Sequence, residues 1–248
     1  MQLNYAQKEN GLFLLTRNNI EHVACAVLGE YAPHNLERPI PLNTVGLLQD
    51  YLGLQVKRNY IGSFDSGILG MIVMNDIVEI PSCDLVYRPI ILEETFGTVL
   101  INPDLSPAKN APRRRYTEVH EGAHYLLHRP YYERLEEKAG TANAKLSGIA
   151  CRSVEIHKRS PKNATEWMEW QADTLAASLL MPKDVFSSYA SAVMHKHGIY
   201  RGYLISGNMA DQQCAHDIFA EIANAFQVSN RAVQIRMVHL GFIRQFVA

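Results

Sequence analysis

The chain has 248 residues, enough for one large domain or two small ones, and its 47% hydrophobic content with 20% charged residues fits a globular protein with a sizeable core. With 24 Lys and Arg against 25 Asp and Glu, the formal net charge of −1 supplies no global field for nucleic acid or an anionic membrane. Cys25, Cys83, Cys151 and Cys214 are widely spaced and form no CxxC pair, which offers neither a disulfide framework nor zinc-ribbon spacing and suits a reduced, cytoplasmic setting.

Residues 1–19 read as a polar, partly mobile lead-in, and the apolar run Gly11–Leu15 is too short for a signal h-region or a membrane span. No export and no membrane association are expected. Residues 20–31 have amphipathic helical spacing, and Pro33 to Pro41 is a loop. Residues 43–52 predict a second helix stopped by Gly53, and Leu54 to Tyr60 predicts a strand. Residues 68–80 predict one or two strands turning at Asn75-Asp76, and residues 90–93 fit no single pattern. Gly97–Asn102 is a short β-branched strand closed by Pro103, open to an edge or an interior position. At an edge, a substrate could pair with it in extended form.

Thr117 to His124 contains HExxH: His120, Glu121 and His124. Residues four apart on a helix face the same way, so the two imidazoles can share one metal ion, most often zinc. Glu121 lies about 100° round the helix from His120 and can reach a water rather than the metal. There it would act as general base, and then as proton donor to the leaving amine. His128 extends the series, but at about 12 Å along the axis from His120 it is too far to share the ion and reads as a structural or rim residue. Arg113-Arg114-Arg115 opens this helix against the helix dipole, and reads as a solvated basic turn, a partner for local carboxylates or a dock for acidic substrate residues.

Residues 163–182 predict a helix with an Asn163/Glu166 start resembling a capping box and an end at Pro182. Glu169 and Asp173 share one face of it. Catalytic zinc commonly takes two His and one Glu and leaves the fourth position to water, while a ligating His donates its other N–H to a carboxylate. Glu169 fits the third ligand and Asp173 the histidine partner. Residues 129–162 form an insertion between the two helices, read as a partly ordered flap over or beside a cleft. Beyond Pro182 a helix runs through His197. His195, His197, Tyr200 and Tyr203 are equivalent candidates to stabilise an oxyanion, and nothing in the sequence selects among them.

The last 40 residues read as three short helices, with Ser229 capping one of them. Residues 209–248 carry Arg231, Arg236 and Arg244 against Asp211, Asp217 and Glu221, a zero balance that disfavours DNA binding and favours a scaffold or substrate-docking role.

Arg114 to His128 resembles the central helix of the ImmA/IrrE family of metallopeptidases, whose pattern is Arg-Phe-Thr-x-Ala-His-Glu-Leu-x-His-x-Leu-x-His. Glu169-Trp-Gln-Ala-Asp173 running into Leu179-Leu180-Met181-Pro182 resembles that family's second motif. Residues 226–241 resemble its C-terminal ending, and the similarity covers roughly residues 40–182 and more loosely the C-terminus. Val119 and Gly122 depart from the commoner Ala and Leu, and residues 125–168 make a longer gap between the motifs than the family usually has.

The resemblance implies a thermolysin-like two-helix zinc core, the HExxH helix plus the ExxxD helix, in an α+β fold with a small mixed β-sheet and an α-helical C-terminal subdomain. The expected organisation is a helical lead-in at 1–40, a metallopeptidase core at 41–205 and a helix-turn-helix-like subdomain at 206–248. Zn2+ would be held by His120, His124 and Glu169, with Glu121 catalytic and Asp173 behind a ligand. The implied substrate is a helix-turn-helix repressor, so that cleavage would relieve transcriptional repression. The competing class is a non-catalytic regulatory module that binds a repressor or DNA through the C-terminal helices.

Overall fold

The computed structural model describes residues 3–62, 66–75, 77–84, 88–139, 149–152 and 163–245. The fold is mixed α+β and forms two compact units. The first comprises Met1–Ile20 with Asn43–Ala176, and the second Glu21–Leu42 with Ala177–Ala248. Two of the three divisions fall inside α1 (Arg17–Tyr31) and α4 (Ala164–Leu180), and the third lies between Leu42 and Asn43. Among the described residues no helix is long and apolar enough to cross a membrane.

In the first unit, Asn43 caps the short helix α2 (Thr44–Gly46), its side chain accepting from the Gly46 amide, and a π-helical turn Leu47–Tyr51 follows. Strands β1 (Gln55–Arg58), β2 (Ile68–Ile72), β5 (Thr98–Ile101) and β6 (Ile149–Arg152) form one mixed sheet in the order β1-β5-β2-β6. β5 is parallel to β1 and antiparallel to β2, and β2 is antiparallel to β6. All four residues of β5 are buried, and this strand is interior, so its backbone is already paired on both sides and cannot take up a substrate strand. Strands β3 (Ile77–Cys83) and β4 (Pro89–Thr95), the latter including the ambiguous 90–93, form a separate hairpin.

Apolar residues line both faces of the sheet. Leu48, Leu54, Leu69, Ile72, Val99, Ile101 and Leu105 form one cluster, with Tyr125 and Tyr132 packed against it. Ile68, Met71 and Leu100 join Ile61, Val73 and Ile80 on the other. The first cluster seats α3 (Ala111–Ala139), the helix that carries HExxH. Its close seating depends on two glycines. A Cβ at Gly70 of β2 would meet Thr117 Cγ2 at 2.5 Å, and one at Gly122 would meet Leu48 Cδ2 at 2.7 Å. Gly122 is thus a contact point that offsets its poor helix propensity.

Three expectations need correction here. Residues 129–139 do not begin an insertion loop: α3 continues through Pro130 to Ala139. The rest of the expected flap, 140–148 and 153–162, lies outside the described residues, while 149–152 is strand β6. Residues 3–16 are not a mobile lead-in. Leu12, Phe13 and Leu15 are almost fully buried, Gln7 and Phe13 form a β-bridge, and Arg134 of α3 donates to the carbonyls of Lys8 and Glu9. The Arg114 guanidinium, finally, turns back to the carbonyls of Leu105 and Ser106 and lies 3.6 Å from Glu118, so this part of the basic run is engaged locally rather than solvated.

The second unit holds α5 (Lys183–Lys196), α6 (Met209–Phe226) and α7 (Asn230–His239), with β7 (Leu204–Ser206) parallel to β8 (Ile243–Gln245). The C-terminal segment is therefore two helices and a strand, not three short helices. Gln227 adopts the left-handed conformation at φ 54° to end α6, and the Ser229 hydroxyl caps α7 by accepting from the Ala232 amide. Phe186 and Phe226 pack with ring centroids 5.7 Å apart. Arg236 of α7 is 1% exposed, and its two Nη atoms reach Glu21 Oε1 and Oε2 at 2.5 and 2.8 Å. Its Nε and Nη2 also donate to the Met181 carbonyl just beyond α4.

Removing one member of this pair strands a buried charge. Arg236→Met should cost about 3–5 kcal/mol in equilibrium denaturation, and adding Glu21→Leu should restore much of the loss; an Arg236→Met chain as stable as wild type would refute the pairing. Gly122→Leu, which installs the commoner residue, should cost about 1–3 kcal/mol through overpacking against Leu48.

Candidate metal centre

The spacing of HExxH brings His120 and His124 over one another on α3, with their Nε2 atoms 2.9 Å apart and both rings buried. Glu169 comes from α4. Its Oε2 lies 3.3 Å from His120 Nε2 and its Oε1 lies 3.4 Å from His124 Nε2. One ligand atom from each of the three lies within 4.8 Å of the other two. Ligands held tetrahedrally at about 2.0–2.1 Å from an ion stand about 3.3 Å from one another, so this donor set fits a small divalent cation.

The outer faces of the two imidazoles are also engaged. Asp173 Oδ1 is 3.0 Å from His120 Nδ1, and the Tyr116 hydroxyl donates to the same Asp173 oxygen at 3.0 Å. His124 Nδ1 is 3.0 Å from His128 Nδ1, and His128 Nε2 is 3.0 Å from Gln171 Oε1. His128 thus faces the far side of His124, not the three-donor cluster. His120, Glu121, His124, Glu169 and Asp173, all expected from the sequence, come together in the first unit. The four oxyanion candidates belong to the second, where His197 lies 3.3 Å from Glu221 and the rings of His195 and Tyr200 are 5.6 Å apart.

Glu121 is fully buried, and among the described residues no side chain hydrogen-bonds its carboxylate, which only the Ile72 backbone amide approaches. Buried polar atoms are rarely left so, and here the orphaned pair sits beside the three donors, where a water could serve it. Burial raises the Glu121 pKa to about 8; His120 and the Ile72 amide oppose the rise, and the Glu169 carboxylate adds to it. For Glu169, burial raises the pKa, but hydrogen bonds and charge from His120 and His124 win and hold it well below the usual carboxylate range. Burial pushes the His124 and His128 imidazoles below their ordinary values.

The sequence reading missed Gly70, Tyr116 and Gln171. Gly70 leaves room for the carboxylate, since a Cβ there would stand 2.8 Å from Glu121 Oε1. No sequence signal marks a glycine on a distant strand. Tyr116 sits one helical turn before His120, where the spacing could have suggested it, whereas Gln171, two residues after Glu169, lies on another face of α4 and carries no such signal.

The raised Glu121 pKa makes a prediction for the metal-free protein. In the unfolded chain this carboxyl loses its proton near pH 4.5, and in the folded chain near 8. The folded state therefore holds the extra proton in that interval, and stability from this group falls as pH rises, by up to about 1.4 kcal/mol per pH unit. With the metal chelated, Glu121→Gln should gain stability over wild type progressively from pH 4.5 to 8 in denaturant titrations. A pH-independent difference would contradict the buried, protonated carboxyl.

No curated protein matches the chain. A family model does, Peptidase M78, described as an IrrE N-terminal-like domain, over residues 89–238. The matched stretch contains β4, α3 and α4, and with them the His-His-Glu cluster, Glu121 and Asp173. By this match over more than half its length, the chain belongs to the Peptidase M78 family of metallopeptidases.

Proposed function

We propose that the chain is a zinc-dependent endopeptidase that hydrolyses a peptide bond in an intracellular protein. The observation that carries this reading is the buried Glu121 carboxyl, with no side-chain hydrogen-bond partner among the described residues, beside three donors of the kind catalytic zinc uses. A structural site would be closed by a fourth protein ligand and would have no use for a buried base at that position.

His120, His124 and Glu169 would hold the ion in a thermolysin-like arrangement of α3 and α4. When bound, the ion would supply Lewis acidity for the scissile carbonyl and lower the pKa of water. Glu121 takes a proton from the attacking water as the water oxygen bonds to the carbonyl carbon, and passes it to the amide nitrogen as the C–N bond breaks. Asp173 holds His120 with its Nδ1 side turned away from the ion, and Tyr116 steadies Asp173.

The proposed substrate is a helix-turn-helix repressor, whose cleavage would relieve transcriptional repression. This part rests on the resemblance to ImmA/IrrE metallopeptidases. A docking role for the C-terminal helices, rather than DNA binding, is supported by the state of two of the three arginines in residues 209–248. Arg236 is buried against Glu21, and Arg244 lies 3.9 Å over the Tyr203 ring.

Purified wild type should carry about one zinc per chain by plasma mass spectrometry, and Glu169→Ala should lose it. Glu121→Gln should keep the metal while cleavage of repressor substrates, followed by mass spectrometry of fragments, falls by about 10²–10⁴-fold. Undiminished function in Glu121→Gln would favour the binding module instead.

A further inference from the structure

We propose that His128 is a positioning residue that fixes which nitrogen of His124 faces the metal, and that the backbone carbonyl of Phe13 sets the direction of the whole chain of hydrogen bonds. The proposal rests on the reading of His124 as a ligand. It concerns a histidine that the sequence leaves as a structural or rim residue.

The direction follows from one group that can only accept. The Phe13 carbonyl is 2.8 Å from Gln171 Nε2, and it also accepts from the Trp167 indole at 3.3 Å. A carbonyl has no proton, so the Gln171 atom facing it must be the NH2. The Gln171 oxygen is then the atom 3.0 Å from His128 Nε2, which makes that nitrogen the proton-bearing one. Both His128 and His124 are fully buried, where a neutral imidazole is favoured over a charged one. A neutral His128 protonated at Nε2 has a bare Nδ1, so it accepts from His124 Nδ1 across 3.0 Å. His124 therefore carries its proton on Nδ1. With an ion bound, His124 Nε2, which faces His120 Nε2 and Glu169 Oε1, is the nitrogen left to that ion.

With an ion on His124 Nε2, reversing any one of these bonds would set two acceptors or two donors face to face inside a buried site, which is costly. The relay also ties the ligand to the N-terminal segment, whose Phe13 is 3% exposed. Partners of this kind commonly govern ligand orientation and metal affinity.

The test uses the whole chain and two readouts other than activity. Long-range ¹H–¹⁵N correlation spectra of zinc-loaded wild type near pH 8 should show His124 ligated through Nε2 and protonated at Nδ1, and His128 neutral with its proton on Nε2. Zinc affinity, measured by competition with a chromophoric chelator, should fall about 10–100-fold in His128→Leu. In His128→Gln, whose amide can accept from His124 and donate to Gln171, it should recover to within about threefold of wild type. Ligation of His124 through Nδ1, a proton on His128 Nδ1, or wild-type zinc affinity in His128→Leu, would overturn the proposal. Should His128→Leu fail to fold, the wild-type tautomers still decide. Wild type that binds no zinc would remove the peptidase reading, whereas zinc binding with the wrong tautomers would remove only this one.

Discussion

Burial of ionisable groups is the constraint on which the first unit depends. His120, Glu121 and His124 are on one helix and at most 1% exposed. An isolated charge taken out of water costs several kcal/mol even after relaxation, so each group must stay neutral, find a partner or meet an ion. The surroundings give each a different answer. Asp173 and Tyr116 stand behind His120, and His128 and Gln171 behind His124. Glu169 is held ionised by the two imidazoles, whereas Glu121 has no side-chain partner among the described residues and retains its proton far above the usual range. Two carboxylates near the same histidines are thus driven in opposite directions, the pattern expected where one binds and the other moves protons.

Such a site can exist only where the backbone comes close. The sheet is apolar on both faces, and one face supports α3 through Leu69, Ile72, Val99 and Ile101. Gly70 removes the side chain that would otherwise strike Thr117 and Glu121, and Gly122 does the same at Leu48. The absence of two Cβ atoms therefore sets the depth at which α3 lies, and with it the exclusion of solvent that perturbs Glu121. The N-terminal turn adds the Phe13 carbonyl as a fixed acceptor.

In the second unit the same cost is met by closure. Arg236 and Glu21, far apart in the chain, form a two-pronged pair, and the remaining guanidinium hydrogens go to Met181 and Ser178. Every strong donor there has an acceptor, so the group has a structural part and none to spare for a ligand. Asp211 is satisfied in a similar way by Arg201 and the Ile205 amide. The contrast with Glu121 separates a buried polar group that holds a fold together from one left open for chemistry.

The sequence by itself determined the parts governed by short-range periodicity. A four-residue interval stacks His120 on His124 in any α-helix, the same interval aligns Glu169 with Asp173, and the caps at Asn163 and Ser229 follow from local hydrogen bonding. Family membership was legible for the same reason, because its motifs are local. The tertiary structure alone decided what depends on distant residues meeting: the interior place of β5, the roles of Gly70 and Gly122, the burial of the N-terminal turn and the pairing of Arg236 with Glu21. It also decided His128. Counting along the helix excluded that residue from the ion, but only the fold brought Gln171 and Phe13 to its other side. Sequence spacing fixes angles within one element, whereas burial and proton direction depend on which elements pack together.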